Sequence, residues 1–376
     1  MKTWYNHPKG EIIDERIFKD IKDPRQPWKT EHDLLEIILM TICAVISGHD
    51  HWEDIADFCK VKAQWFRDRM GLRLKNGVAS HDTFQRIFQL IDSKELENRF
   101  VLWVQSVAVK TEGEIVSIDG KTLRGSKAAG SKPLHLVSAW ASANQVVLGQ
   151  VKTDEKSNEI TAIPELLALL DLRGCIVTVD AIGCQKEIAK KTTEQGADYV
   201  FSLKDNQANL SEDVRLYFET ERATNTKTTL DNGHGRIEKR VCQLETNIDW
   251  LTQKADWCGL QAVGMVRSFV EEKGRTRSET RYFITSLSDI DTFAHAVRSH
   301  WGIENSLHYC LDITFNEDAN RTRKDNSPEN FAVIRHIALN ILKKFKTPKP
   351  MSVARKRRKC QYDSHFMADV LLSACL

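Results

Sequence analysis

The chain has 376 residues, 41% hydrophobic and 28% charged, which is the composition of a globular protein with a sizeable core and room for two or three domains. A formal net charge of +2 leaves the overall charge silent about partners. Nine cysteines, none in a C-x-x-C pair, exclude zinc-ribbon spacing and read as reduced thiols of a cytoplasmic protein. No apolar h-region follows Met1, and the apolar run at 34–46 is interrupted by Glu36 and Thr41, so no membrane partner is expected.

In chain order, residues 1–22 carry little signal, and Asp23-Pro24 marks a turn. Helical spacing predicts a helix over 31–47, with Leu34, Leu35, Ile38, Ile42 and Val45 on one face and Gly48 as its stop. Further helices are predicted at 52–58, 63–70, from Ser80 onward, and at 96–109. The result is an all-helical region over 1–112. At Glu114 the period changes to that of strands. Residues 114–119, 133–140 and 145–151 predict a three-strand meander, with Ala143-Asn144 at a turn. A polar loop at 152–159 leads to a helix with Pro164 in its first turn. A strand over 175–180, a helix over 186–195 and a strand over 198–204 follow. About 85 residues with three strand-like stretches, 236–244, 260–270 and 280–286, then precede a helix that starts near Asp291.

Two of these strands end on aspartate. Ile115, Val116 and Ile118 lead to Asp119-Gly120, and the β-branched run after Cys175 leads to Asp180. Asp119-Gly120 is also an ordinary turn pair. Two carboxylates side by side, however, need a shared cation or a shared proton. Hard divalent ions take such oxygen ligands. In the late helix Phe293, Val297, Trp301, His308 and Leu311 fall on one predicted face with Glu304 among them, and a Glu in an apolar stripe asks for a partner. Asp312 is its nearest competitor for the same role.

Other motifs fail on spacing. Gly120-Lys121-Thr122 lacks the four-residue interval of a phosphate-binding P-loop. His300, Glu304 and His308 stand at i, i+4 and i+8, a spacing that zinc accepts, but the paired aspartates favour a harder cation. From Arg321 to the end there are 13 Lys and Arg against 4 Asp and Glu, a local excess of +9 that peaks at Arg355, Lys356, Arg357, Arg358 and Lys359. This predicts a basic tail over 346–376, either solvated or facing nucleic acid.

The order strand-strand-strand-helix-strand-helix-strand is that of a ribonuclease H-like mixed α/β sheet, with a β-rich insertion at about 206–287 before its last helix. Ile118-Asp-Gly-Lys-Thr-Leu-Arg124, Thr153-Asp-Glu-Lys-Ser-Asn-Glu-Ile160, Asp180-Ala-Ile-Gly-Cys-Gln185 and His300-Trp-Gly-Ile-Glu-Asn305 together resemble the bacterial insertion-sequence transposases of the DDE type, closest to the H-repeat-associated group. The resemblance covers nearly the whole chain. It implies a catalytic domain over 113–345 in which Asp119, Asp180 and Glu304 are the catalytic residues and hold two Mg2+ or Mn2+ ions. It also implies cleavage and strand transfer on double-stranded DNA at element ends and target, by a homo-oligomer associated with the nucleoid. Lys121, Arg124 and Arg298 are the candidates for phosphate contact, with the helical region and the basic tail as further DNA-binding parts. The last helix departs from the wider family, with Val297, His300 and Leu311 where basic or tyrosine helpers are usual. The alternatives are a nuclease of the same fold without strand transfer and an inactive DNA-binding remnant.

Overall fold

The structure, a computed structural model, describes residues 15–373 except 110, 128–129, 131, 154–157, 222, 224, 234–235 and 273. Most of the expected polar loop, 154–157, therefore lies outside the described residues.

The chain begins with α1 (Glu15–Lys19) and α2 (Leu34–Ile46), whose first turn is capped by the Asp33 side chain accepting from Glu36 N. α3 (Trp52–Val61) and α4 (Ala63–Trp65) follow, and a π-turn over Phe66–Met70 closes at Gly71 with φ 68°. α5 (His81–Leu90) and α6 (Ser93–Val107) are capped by Ser80 and Asp92. The strand region opens with β1 (Ile115–Thr122), β2 (His135–Ala141) and β3 (Val146–Lys152). α7 (Glu159–Leu169), β4 (Ile176–Val179), α8 (Lys186–Glu194) and β5 (Asp198–Leu203) come next. The inserted segment is α9 (Ala208–Thr220), β6 (Asn225–Gly233), β7 (Arg236–Glu245), β8 (Ala262–Glu272) and β9 (Arg275–Thr285). Last are α10 (Ile290–Gly302), a π-turn over Ile303–His308, α11 (Tyr309–Thr314), α12 (Ser327–Lys344), α13 (Val353–Tyr362) and α14 (Ser364–Leu372).

Among the described residues nine strands form one sheet, in the order β3-β2-β1-β4-β5-β9-β8-β7-β6. β1, β4 and β5 run parallel, and the other pairings are antiparallel. The inserted strands therefore extend the central sheet through β5–β9 instead of folding apart from it. β6 and α9 have no counterpart among the sequence expectations. β6 reads Asn-Thr-Lys-Thr-Thr-Leu-Asp-Asn-Gly and is an outer strand with no fully buried residue, so it carries no apolar alternation.

Alternation along the strands sends side chains to two faces. Val116, Ile118, Val177, Val179, Tyr199 and Phe201 pack under α7, α8 and α9. On the opposite face Ile115, Ile176, Val200, Val266 and Phe283 pack against Phe293, Ala296 and Val297 of α10. The fit there is close, because a Cβ added at Gly264 of β8 would lie 2.3 Å from the Phe293 ring. Gly264→Ala is expected to destabilise the protein by about 1–3 kcal/mol, read as an earlier denaturant midpoint, because neither the strand backbone nor the buried ring has room to yield.

The helical N-terminal region is not a separate body. Phe18, Ile38, Ile42, Phe66, Phe84 and Phe100 share one apolar core with residues of α12, α13 and α14. The expected basic tail is folded into the same core. Cys360 is buried on α13, as are Phe366, Met367 and Leu371 on α14. Asn340 of α12 fastens this helical body to the sheet, its amide exchanging two 2.8 Å bonds with the Val147 backbone beside a bulge in β3. Among the described residues no helix is long and apolar enough to cross a membrane.

Candidate metal centre

Two parallel strands place the aspartates. β1 and β4 pair in register up to Ile118 opposite Val179, so Asp119 and Asp180 are the next residues on adjacent strands. Ile118 and Val179 face the apolar layer under α7 and α8, and alternation turns Asp119 to the other side, as it does Ser117 and Thr178. The expectation that β1 ends at Asp119 is corrected: β2 keeps pairing as far as Thr122 opposite His135, so the strand continues. Asp180 directly follows β4, which ends at Val179, and its Oδ1 accepts from Gly183 N at 3.2 Å.

α10 crosses that second face and widens into a π-turn, in which Tyr309 N–H reaches back five residues to Glu304 O. Such insertions recur at functional sites because they rotate side chains out of simple helical register. Here the π-turn turns Glu304 to Asp119 with His308 beside both. His308 Nδ1 lies 3.5 Å from Asp119 Oδ2 and 3.7 Å from Glu304 Oε2. Glu304 is not embedded in an apolar stripe as its spacing predicted. Its side chain is 57% exposed, against 15% for Asp119, and Trp301 is exposed as well. The buried positions of this turn are Ile303, Leu307 and His308.

The outcome is two groups of candidate ligands that share one carboxylate. Asp119, Glu304 and His308 offer atoms all within 4.8 Å of one another, and so do Asp119, Glu159 and Asp180. Asp119 is thus grouped with Glu304 on one side and with Asp180 on the other. Glu159 and His308 had no assigned place as ligands. Glu159 was hidden because α7 begins five residues before Pro164, which lies in the helix interior and not in its first turn. The available signal was Asn158, whose side chain accepts from Ile160 N as a helix cap. His308 had been visible only as part of the zinc-like spacing. That triad does not form among the described residues, since His300 Nδ1 bonds to Thr178 Oγ1 at 2.8 Å instead.

Electrostatics mark the centre as short of positive charge. Burial, then the charges of Glu304, Asp180 and Glu159, push Asp119 up to about 8. Burial also raises Asp180. Glu304 is held below the usual carboxylate range, first by its hydrogen bond with His308. Burial holds His300 at about 4, so its imidazole is neutral. Oxygen ligands at this density suit divalent cations such as Mg2+ or Mn2+, and His308 adds a nitrogen that Mn2+ accepts.

The basic candidates divide sharply. Lys121 is not free for DNA: its Nζ is bonded to Asp312 at 2.5 Å and Glu317 at 2.7 Å, and Arg335 lies 3.7 Å from Glu317. This pairing also removes Asp312 from the metal groups. Lys356 and Arg357 are corrected too. Lys356 Nζ donates to the carbonyls of Leu342 and Phe345, and Arg357 donates to those of Val45 and Thr314 and to Asp50. Both are buried because they satisfy helix-end carbonyls that no water reaches. Arg124 is 85% exposed beside Asp318, Arg298 is exposed beside Asp231, and Arg355 and Arg358 point to solvent. Lys359 is half-buried near Asp363. Beyond Glu304 a cavity of about 600 Å³ is lined by Arg277, Arg281, Arg298, Trp301 and Asn305, with the Arg281 guanidinium 5.4 Å over the Trp301 ring.

With this geometry in view, the comparisons are direct. Residues 110–341 match the transposase DDE domain family, and residues 16–104 match the family described as DDE_Tnp_1-associated. The chain is 41% identical to "Putative transposase YncI" of Escherichia coli O157:H7, over 94% of this chain and 93% of that protein. It is 40% identical to "H repeat-associated putative transposase YhhI" of Escherichia coli K12, over 95% of this chain and 97% of that protein. A cryo-EM structure of the piggyBac transposase synaptic complex with hairpin DNA overlays at a TM-score of 0.44 and 13% identity, over 94% of this chain and 78% of that one, a likeness that decides neither fold nor function. By sequence the chain belongs to the transposase DDE domain family, among the bacterial H-repeat-associated transposases.

Proposed function

We propose that the chain is a metal-dependent DNA-cutting and strand-joining enzyme, with Asp119, Asp180 and Glu304 as the carboxylates that hold two divalent ions. The observation that carries this reading is the sharing of Asp119 between two ligand groups, the arrangement a pair of ions about 4 Å apart requires. The strand order β3-β2-β1-β4-β5, with α7 and α8 on one face and α10 on the other, supports a ribonuclease H-like core. When bound, the ions supply activation of the attacking oxygen and stabilisation of the leaving oxygen. The protein's own part is to fix three carboxylates, two at adjacent strands and one on the helical turn after α10, so that in-line geometry is set before DNA arrives. His308 orients Glu304 and Asp119 through its Nδ1. Arg277, Arg281 and Arg298 offer sequence-independent phosphate contacts beside Glu304, and Arg124, Arg355 and Arg358 offer others. The partner is double-stranded DNA, element end and target, engaged by a homo-oligomer at the nucleoid.

The test is incubation of purified protein with the DNA flanking its own element, in Mg2+ or Mn2+. Nicked or broken ends, followed by joined products on a target plasmid, are expected. Cleavage without joining favours the nuclease alternative, and no cleavage with either ion favours the inactive one. In the same assay Asp312→Asn is expected to keep its rate within about tenfold, because Asp312 serves Lys121, which Glu317 still holds.

A further inference from the structure

We infer that Glu159 is a fourth carboxylate of the metal centre, held in position by His135 and Thr122. The inference rests on the two-ion reading above and adds to its ligand set.

Glu159 is the first residue of α7, where the helix N-terminus favours an anion. Its carboxylate comes within 4.8 Å of ligand oxygens of Asp119 and Asp180. That is a costly place for a third negative charge unless a cation joins it. A connected set of bonds nonetheless keeps it there. Glu159 Oε1 is 2.8 Å from His135 Nε2, and His135 Nδ1 is 2.7 Å from Thr122 Oγ1. With the Thr122 hydroxyl donating to Nδ1, the Nε2–H is left to donate to Glu159. An ionised carboxylate has about four acceptor positions, of which His135 takes one, leaving the others for an ion. A carboxylate steadied from behind by an imidazole is a usual support for a metal ligand.

Gly120 is a separate observation that points the same way. A Cβ there would lie 2.1 Å from Glu159 Oε1 and 2.5 Å from His135 Nε2, so the pair sits directly over the one residue in β1 without a side chain. Gly120 separates Asp119 from Lys121, and its lack of a side chain makes the room through which Glu159 reaches the aspartates. On the far side of the pair, Lys152 and Arg323 line a cavity of about 500 Å³ that opens beside Glu159. Phosphates entering by this side would pass Glu159 before the aspartates, as they would pass Glu304 from the other.

The experiment counts bound Mn2+ by titration with electron paramagnetic resonance, on the full-length protein without DNA. Wild type is expected to take two ions. Glu159→Gln is expected to weaken one of them at least about tenfold and leave the other unchanged, and His135→Asn to weaken the same ion by roughly 10-fold to 100-fold through loss of its support. Gly120→Ala alters no charge and is expected to weaken that ion as well, by displacing the pair. Circular dichroism and melting of each variant check folding, and His135→Asn stands in if Glu159→Gln does not fold. Two ions of unaltered affinity in folded Glu159→Gln would overturn the assignment of Glu159 alone. A wild-type protein that binds no Mn2+ would overturn the two-ion reading itself, and Glu159 with it.

Discussion

Asp119→Asn is expected to cut DNA cleavage by about 10³-fold or more while making the metal-free protein more stable. Both effects follow from its place in both ligand groups. On the two-ion reading, removing its charge would take a ligand from each ion at once, whereas Glu304→Gln alters one candidate group. Glu304→Gln is therefore expected to abolish turnover without disturbing the Asp119-Asp180-Glu159 side. The stability effect has the opposite sign. Asp119 is raised from its ordinary 3.8 to about 8 by burial and by three neighbouring carboxylates. The folded protein thus holds that proton more tightly than the unfolded chain does. Its contribution is fully present below about pH 4 and is lost as pH rises through about 8. Near pH 7 the metal-free wild type carries a penalty on the order of 1–3 kcal/mol that the amide lacks. Melting of wild type without metal should fall from pH 5 to pH 8, and the same series in Asp119→Asn should be flatter and higher. Added Mg2+ should raise wild type and leave the variant nearly unmoved. A variant that melts below wild type at pH 7 without metal would show that Asp119 holds the fold instead of straining it.

Arg357→Ala is expected to destabilise the protein by about 3–5 kcal/mol, while Arg355→Ala and Arg358→Ala stay within roughly 0.5 kcal/mol of wild type. All three lie in the densest basic run of the sequence. Arg357 Nε and Nη2 donate to Val45 O at 3.0 and 2.7 Å, Nη2 also meets Asp50 at 2.8 Å, and the guanidinium lies 4.2 Å over the Phe315 ring. Without it the partly buried Asp50 carboxylate and two helix-end carbonyls lose their donor. Arg355 and Arg358 face solvent, so their loss is expected to leave the fold intact and DNA binding can be read on its own. Each phosphate contact they make should change the slope of log affinity against log salt by about 0.9. Denaturant unfolding of the three variants, followed by salt titration of the two stable ones, separates the roles.

What could be read from the sequence depended on whether a local pattern sufficed. The two aspartates were legible because an apolar β-branched run ending in a carboxylate is a local signal. Glu304 was legible as an anomaly, but its predicted burial was not correct. A helical wheel assumes 3.6 residues per turn, and the π-turn over Ile303–His308 breaks that assumption where the site lies. Glu159 was masked by Pro164, which reads as a helix start although the helix, capped by Asn158, had already begun at Glu159. The internal bonds of Lys121, Lys356 and Arg357 were not legible for another reason. Charge counts carry no information about partners that are distant in sequence, and Asp312 and Glu317 lie 191 and 196 residues from Lys121. The exposed outer strand β6 left no trace because a strand with neither face buried needs no apolar alternation.

The most direct measurement is anomalous diffraction from crystals of the protein soaked in Mn2+. The account predicts two peaks about 4 Å apart, both at bonding distance from Asp119, one shared with Asp180 and the other with Glu304. A single peak away from Asp119, or ions at Asp312 and Glu317 instead, would contradict it.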